Sequence, residues 1–189
     1  MSHRSFRIGP LLLPALLVLG AGFIACARSR PVGNPNVPEP LKPVDLDRYL
    51  GRWYEIARYE AGFERDCEGV TADYSRRPDG LIRVLNTCRE NSPDGRARSA
   101  EAKAKIVDGS GNAKLLVSFF GPFFVGKYWV LDHGDDYDWS IVGEPTGTYL
   151  WLLSREATPT VVAKSNLIAR ARSLGYDTGL LRMTRQPPG

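Results

Sequence analysis

Residues Gly51–Tyr59 read Gly-Arg-Trp-Tyr-Glu-Ile-Ala-Arg-Tyr, and the rest of the chain is interpreted outward from this stretch. Asp45 stands where it can cap one turn of helix, and Gly51 supplies the backbone freedom to leave that turn. We predict that a β-strand begins at Trp53. A Trp near the start of a first strand, with Tyr, Ile and Tyr after it, is a large apolar mass that several later strands must cover.

The N-terminus has the pattern of an export signal. Arg4 and Arg7 precede an apolar run over residues 8–24, which is at the short end for a membrane span and directly follows the basic region. We therefore predict a cleaved signal peptide and no permanent membrane-spanning anchor.

The end of this apolar run, Ile24-Ala25-Cys26, resembles the bacterial lipobox, in which the Cys is acylated and becomes the mature N-terminus. We predict a lipoprotein signal peptide over residues 1–26 and lipidation, for instance with palmitate, at Cys26. Ala27 follows the Cys in place of Asp, which favours the bacterial outer membrane, with the anchored protein on the periplasmic side. Ordinary cleavage at a small-x-small site is the alternative and would leave a soluble periplasmic or secreted protein.

Residues 27–43 contain five prolines and little that could be buried, so we predict a Pro-rich tether in front of a domain over residues 44–189. Removal of residues 1–26 deletes two of the 25 Lys and Arg residues and none of the 21 Asp and Glu residues. The net charge therefore falls from +4 to about +2. Because no basic run with interleaved aromatic residues is present, we predict no nucleic-acid partner.

Cys67 and Cys88 remain as an even pair in an oxidising compartment, with a turn signal over residues 77–80 between them. We predict a disulfide across a β-hairpin. The inward alternation on the two strands is offset by one residue, which requires a β-bulge before both sulfur atoms share a face. The alternative is a metal site with two free thiols, but His3 and His133 do not complete a usual zinc set. We predict no metal and no cofactor.

The chain after the hairpin alternates between apolar and polar side chains at the period of a strand. Residues 98–107 place alanines, among them Ala102 and Ala104, on one buried face, which leaves volume in a closed sheet. Eight such strands follow one another from Trp53. They precede a helix over about residues 160–174, with an apolar stripe that begins at Val161 and Val162, and a short strand over residues 180–184. We predict an all-β protein: an eight-stranded antiparallel up-and-down β-barrel with a C-terminal helix packed outside and a short final strand.

Three motifs occur in order along these strands: Gly51-x-Trp53-Tyr54 on the first, Asp136-Tyr137 at the start of the seventh, and Trp151-x-x-Ser154-Arg155 closing the eighth. Through them the chain from about Val44 to its end resembles the lipocalins. Within that family it is similar to the bacterial outer-membrane lipoprotein lipocalins and to apolipoprotein D, through Trp-Tyr-Glu-Ile-Ala-Arg and the runs over residues 118–123 and 149–155.

The resemblance implies that Gly51, Trp53 and Arg155 form the closed floor of the barrel, with the Arg155 guanidinium across the Trp53 indole. Alternation counted from Arg155 then predicts which side chains face the interior. The predicted ligand-binding residues are Ala57, Tyr74, Val84, Asn86, Ala102, Ala104, Val117, Phe119, Tyr128, Val130, Tyr149 and Trp151.

A hydrophobic barrel with one open mouth binds molecules with an apolar tail, so we predict non-catalytic binding, storage or transport of fatty acids or lysophospholipids at the bacterial envelope. One alternative is a lipocalin-like enzyme acting on a small apolar substrate, with inward Glu55 as its acid or base. The sequence offers no nucleophile elbow, and His133 is expected in an exposed turn. Another alternative is an interaction module with a filled core. Phe123, Phe124 and Trp129 near one end are candidates for a homodimer surface or for the lip of the mouth.

Overall fold

The computed structural model describes residues 31–187. The predicted signal peptide over residues 1–26, the predicted lipidation site at Cys26 and the first part of the predicted tether lie outside the described residues. Within residues 31–187, no helix is long and apolar enough to cross a membrane.

Eight antiparallel strands form a closed barrel in which each strand pairs with the next along the chain. Strand β1 closes the barrel because it pairs with β2 on one side and with β8 on the other. This architecture confirms the predicted fold. The strands are β1 (Gly51–Tyr59), β2 (Cys67–Arg76), β3 (Ile82–Glu90), β4 (Ala97–Ile106), β5 (Lys114–Ser118), β6 (Gly126–His133), β7 (Trp139–Gly143) and β8 (Leu150–Ser154).

Two helices and a ninth strand complete the fold. Helix α1 (Leu46–Tyr49) is a single turn capped by the Asp45 side chain, which accepts hydrogen bonds from two backbone N–H groups. Helix α2 (Val161–Ser173) packs outside the barrel, and β9 (Leu181–Met183) pairs with the last residues of β1, where pairing with β2 has ended.

The apolar stripe predicted on α2 is narrower than the sequence indicated. Leu167 and Ala171 are buried against the outer wall of the barrel, whereas Val161 and Val162 are 80% and 68% exposed. The first turn of α2 therefore leaves its apolar side chains largely in contact with water.

A β-bulge in β1 changes which of its side chains face the barrel interior, so that simple alternation does not hold along the whole strand. The register against β8 shifts between Glu55 and Ala57, so that Ala57 pairs with the outward-facing Leu152 and Arg58 with the inward-facing Trp151. Ala57 belongs to the outer cluster under α2. The prediction that Ala57 lines the ligand cavity was therefore wrong, because one extra residue reverses every later position on a strand.

The predicted disulfide between Cys67 and Cys88 is confirmed, with the two Cα atoms 5.4 Å apart. The bulge that this pairing requires is also present, as a register shift between Glu68 and Thr71 on β2. The disulfide fastens the start of β2 to the end of β3 at the mouth end of the barrel.

The described residues before α1 lie against the barrel and are not a free tether. We call residues 33–43 the N-terminal strap. Within the strap, Asn34 is almost fully buried, and its side-chain amide donates a hydrogen bond to the Leu174 carbonyl over 2.9 Å. At the other end of the strap, Lys42 donates to the His133 carbonyl. The expectation that residues up to 43 bury almost nothing is wrong for the strap, because its backbone finds hydrogen-bond partners on the barrel.

His133 is buried, contrary to the expected exposed turn. Its ring nitrogens contact the carbonyl oxygens of Gly134 and Pro43, and its ring stacks on Tyr137 with centroids 4.3 Å apart. The strap supplies the Pro43 carbonyl, so long-range packing decides this burial.

Candidate ligand-binding site in the barrel

The closed end of the barrel is sealed by an Arg–Trp stack. The guanidinium carbon of Arg155 lies 3.8 Å from the centroid of the fully buried Trp53 ring. Its nitrogens donate to the carbonyl oxygens of Arg48, Leu50 and Arg52 over 2.7–2.9 Å. A planar guanidinium can stack and donate at the same time, which explains an Arg at this position.

Gly51 allows the backbone conformation that this Arg–Trp stack requires. Its φ of +94° lies in the region that residues with a Cβ adopt only with strain. A Cβ there would also lie 3.4 Å from Arg155 Nη1. The structure therefore places Gly51, Trp53 and Arg155 together, as the resemblance implied.

Tyrosine side chains fill the lower half of the barrel. The Tyr49 hydroxyl lies 2.9 Å from the Tyr128 hydroxyl and 3.1 Å from Ser140 Oγ, and Tyr74 donates to Tyr128 over 3.0 Å. Burial raises the pKa of the Tyr74 and Tyr128 hydroxyls above the usual range, so these groups stay neutral. The residual cavity among them is only about 10 Å³. A guest of any size must lie above this layer.

The predicted ligand-binding residues divide between this filled layer and the space above it. One group belongs to the buried inner cluster and includes Tyr74, Val84, Ala102, Ala104 and Val130. A second group faces the interior yet stays partly accessible and includes Asn86, Val117, Tyr128 and Trp151. Tyr128 belongs to the tyrosine layer, whereas Asn86, Val117 and Trp151 lie toward the mouth and mark the candidate ligand site there.

Phe119 and Tyr149, the two remaining predicted positions, lie at the mouth itself. Phe119 follows the end of β5 and is half exposed. Tyr149 precedes β8, and its ring is parallel to that of Trp151, with centroids 5.7 Å apart.

A buried arginine that the sequence analysis did not assign lies below the mouth. Arg58 is fully buried, and its Nη1 donates to Glu55 over 2.7 Å. Its Nη2 donates to the carbonyl oxygens of Glu64 and Cys67, and its Nε lies 3.8 Å from the Glu64 carboxylate. Arg58 thus joins β1, the loop after it and the start of β2 through one guanidinium.

Residues 60–66, here called the mouth loop, cross part of the opening. On one side the Trp151 indole donates to the Glu64 carboxylate over 3.0 Å. On the other side Arg98 Nη2 lies 3.4 Å from the carbonyl oxygens of Phe63 and Arg65. The loop is therefore held from both walls of the barrel.

The environment of the Glu64 carboxyl group in the mouth loop strongly favours its protonated form. Burial raises its pKa to about 8, and the nearby Glu55 carboxylate acts in the same direction. Near neutral pH a substantial fraction of the Glu64 carboxyl is protonated and can donate a hydrogen bond.

We expect this pKa to make stability depend on pH. Because the folded protein binds the Glu64 proton more tightly than the unfolded chain, the stabilisation is complete below about pH 4.3 and is lost as pH rises through about 8. Glu64→Gln should therefore lose less stability than the wild type between pH 5 and pH 8 in urea unfolding. Glu60→Gln is the control for removal of one negative charge from the same loop. Equal pH slopes in the wild type and Glu64→Gln would contradict the expectation.

The signal that could have revealed Arg58 is the spacing of Glu55 and Arg58. A strand without a bulge sends residues three apart to opposite faces, so an ion pair between them requires the bulge that the structure contains. Within residues 31–187, no cluster of three His, Cys, Asp or Glu side chains could hold a metal ion.

Comparisons with known proteins agree with this architecture. Residues 44–186 match the family model described as a lipocalin-like domain. The chain is 42% identical over 158 residues to the outer membrane lipoprotein Blc of Vibrio cholerae, covering 82% of this chain and 91% of that protein. It is 37% identical over 145 residues to apolipoprotein D of Oryctolagus cuniculus, covering 75% and 71% respectively.

Among solved structures, insecticyanin from the tobacco hornworm Manduca sexta aligns with a TM-score of 0.64 at 21% identity, covering 82% of this chain and 86% of that one. At that identity the likeness concerns the fold alone. The sealed Trp–Arg floor, the closed eight-stranded barrel and the match over residues 44–186 lead to one conclusion: this chain belongs to the lipocalin family.

Proposed function

We propose that this protein binds fatty acids or lysophospholipids without catalysis, for storage, scavenging or transport at the bacterial envelope. Lipocalins bind hydrophobic ligands. The observation that carries the proposal here is the accessibility of inward-facing side chains: Val117, Trp151 and Ala100 face the interior and yet remain accessible above the tyrosine layer. A solidly filled barrel would leave such side chains buried.

An acyl chain suits this cavity because its walls are small or apolar. Each methylene that leaves water contributes about 0.8 kcal/mol, so about ten methylenes of a long acyl chain, packed along walls that include Trp151 and Val117, supply the roughly 8 kcal/mol of micromolar binding. The hydroxyl groups of Tyr74 and Tyr128 satisfy one another, which lets the apolar end of a guest rest on their rings without breaking a hydrogen bond. The tyrosine layer would then limit how deeply a chain can enter.

Polar groups at the mouth would receive the head group. Asn86 on β3 faces the interior, and Arg98 and Glu64 lie at opposite walls of the opening. A protonated Glu64 can donate to a carboxylate or phosphate oxygen, and the Arg98 guanidinium supplies a positive charge. Glu55 accepts hydrogen bonds from Arg58 and Thr184, which favours a structural role for it over that of a catalytic acid or base.

We further propose that the chain is a lipoprotein of the bacterial outer membrane, anchored through Cys26 on the periplasmic side. The support is the lipobox-like end of the signal sequence, together with relatives from Vibrio cholerae and Escherichia coli whose name is outer membrane lipoprotein Blc. Labelled palmitate should appear in the wild-type protein and be absent from Cys26→Ala. Labelling of both would place the acyl group elsewhere.

Binding is tested by titration of the protein with a fluorescent acyl probe while its Trp emission is followed. We expect saturable micromolar binding with quenching that largely disappears in Trp151→Phe. Ala100→Phe puts a ring into the upper cavity and should weaken binding by about tenfold or more, since it displaces at least two methylenes of the guest.

Ala97→Phe is the matched control for this experiment. It adds the same ring to the same strand, on the opposite face from Ala100, and should bind the probe like the wild type. Flat titrations of the wild type with both fatty acids and lysophospholipids would refute the proposal and favour the interaction module with a filled core.

A further inference from the structure

The mouth end of the barrel carries an exposed apolar surface that the cavity does not account for. The loop between β5 and β6 reads Phe-Phe-Gly-Pro-Phe-Phe-Val over residues 119–125, without a charged or hydrogen-bonding side chain. Within it Phe120, Phe123 and Val125 are 84%, 70% and 82% exposed. Clustered exposure of this kind marks an interaction site, because a monomer in water keeps large contiguous apolar patches covered.

Other loops at the same end add to this surface. Phe63 in the mouth loop is exposed, and its ring lies 5.7 Å from that of Tyr149 in the loop between β7 and β8. Val32, next to the first residue of the strap, is also exposed. We call this set the apolar rim; it consists of Val32, Phe63, Phe119, Phe120, Phe123 and Val125.

Lysine side chains stand directly behind the rim. The Nζ atoms of Lys103 and Lys105 lie 5.6 Å and 4.9 Å from the centroid of the Phe124 ring, and Lys127 is exposed two residues after Val125. Apolar side chains in front and ammonium groups behind match the layering of a phospholipid surface, where acyl chains lie beneath phosphates.

The strap brings the N-terminus out of the fold at this same end. The Gly33 N–H donates to the carbonyl of Gly147, in the loop between β7 and β8, over 3.0 Å. The contact is so close that a Cβ on Gly147 would lie 1.8 Å from the Asn34 carbonyl oxygen. The strap then runs to the closed end, where the Val44 N–H donates to the Gly111 carbonyl over 2.8 Å.

The path of the strap sets an upper limit on the distance between the mouth and an N-terminus that is anchored at Cys26. Residues 27–32 separate Cys26 from Gly33, and a chain of that length spans at most about 25 Å. The strap residues after Gly33 lead away from the anchor toward the closed end, so the mouth is the end of the barrel that the anchor holds near the membrane.

We infer that the apolar rim contacts the leaflet in which the N-terminal acyl groups are anchored, so that the mouth faces the lipid. The inference rests on the proposed lipidation of Cys26. In this orientation an acyl chain passes between bilayer and cavity along Phe120 and Phe119 without crossing water.

The test uses the full-length chain, expressed and processed in bacteria, with one introduced thiol. Phe120→Cys places an environment-sensitive fluorophore on the rim, and Asp79→Cys places it in the turn between β2 and β3 at the closed end. Each protein is reconstituted into phosphatidylethanolamine–phosphatidylglycerol vesicles that contain a nitroxide-labelled phospholipid. An unchanged far-UV circular dichroism spectrum and an unchanged urea midpoint show that each variant is folded.

The nitroxide lipid should quench most of the emission of the fluorophore at position 120, and aqueous iodide should quench little of it. At position 79 iodide should quench the emission and the nitroxide lipid should not. Equal exposure of both positions to iodide, or quenching by lipid at position 79 alone, would overturn the inference. Disulfide cross-linking between two Phe120→Cys chains, with no quenching by lipid, would also overturn it and assign the rim to a second copy in a homodimer.

Mass analysis of the mature protein separates this inference from the proposal on which it rests. A mass without acyl groups would refute the anchor. The same labelled chain added to vesicles would still show quenching at position 120, at higher lipid concentration, if the rim binds lipid by itself. If the non-acylated chain showed no quenching at position 120 even at high lipid concentration, the rim inference would be overturned as well.

Discussion

Trp53→Ala is expected to lower the free energy of unfolding by about 3–5 kcal/mol, because it empties the most enclosed site in the barrel floor. The Trp53 side chain is fully buried, its indole N–H donates to the Tyr49 carbonyl over 2.8 Å, and Arg155 covers one face. The substitution removes the ring and leaves the guanidinium above a cavity. Urea unfolding followed by far-UV circular dichroism measures the loss.

Trp129→Ala is the matched control for this prediction. Trp129 lies on the outer wall of the barrel and remains partly exposed, so its loss should cost clearly less. If both variants lose the same small amount of stability, about 1 kcal/mol, the floor is not the centre of the fold.

Arg58→Ala is also expected to lower the free energy of unfolding by about 3–5 kcal/mol, in this case for an electrostatic reason. The substitution leaves the Glu55 carboxylate buried without its cation and removes the donors to the carbonyl oxygens of Glu64 and Cys67. A buried charge that loses its partner must be desolvated without compensation or take up a proton. Urea unfolding at pH 7 gives the magnitude.

A second substitution identifies this cause. Glu55→Gln in the Arg58→Ala background removes the unpaired charge and should restore part of the lost stability, so that the two changes are not additive. Arg182→Ala is the control. Like Arg58, Arg182 forms ion pairs with carboxylates, here those of Glu60 and Glu68, but its side chain is about one third exposed. Full additivity of Arg58→Ala and Glu55→Gln would contradict the charge argument.

The same cluster ties stability to the candidate site. Arg58 holds the mouth loop from below, while Trp151 and Arg98 hold it from the two walls. A loop held at three points presents the Glu64 carboxyl at a fixed place over the opening. Loss of Arg58 should therefore weaken ligand binding as well as the fold, whereas loss of Trp53 acts on the fold from the opposite end.

The barrel itself could be predicted from the sequence because its determinants are local. A strand shows its two faces by alternation, and turns between neighbouring strands are short, so the order of eight strands and one helix already specifies an up-and-down barrel. The pairing of Cys67 with Cys88 followed from the hairpin between them, and the sequence also required a bulge, which the structure places on β2.

The candidate site was predictable only in part. Alternation placed Val117, Tyr128 and Trp151 correctly inside the barrel, but it failed at Ala57, beyond the bulge in β1. It could not show that Tyr74 and Tyr128 fill the lower half, because that depends on how rings from different strands meet. The partners of Arg58 come from β1, the mouth loop and the start of β2, and no periodicity relates them.

The sequence by itself determined the strand order, the Trp53 and Arg155 pair and the disulfide, because each depends on period-two alternation, short turns or a recognisable motif. Only the tertiary structure decided the burial of His133, the charge cluster around Arg58 and the path of the strap along the barrel wall. These features depend on hydrogen bonds between residues far apart in the chain. Their energies are set by burial, which exists only once the barrel has closed.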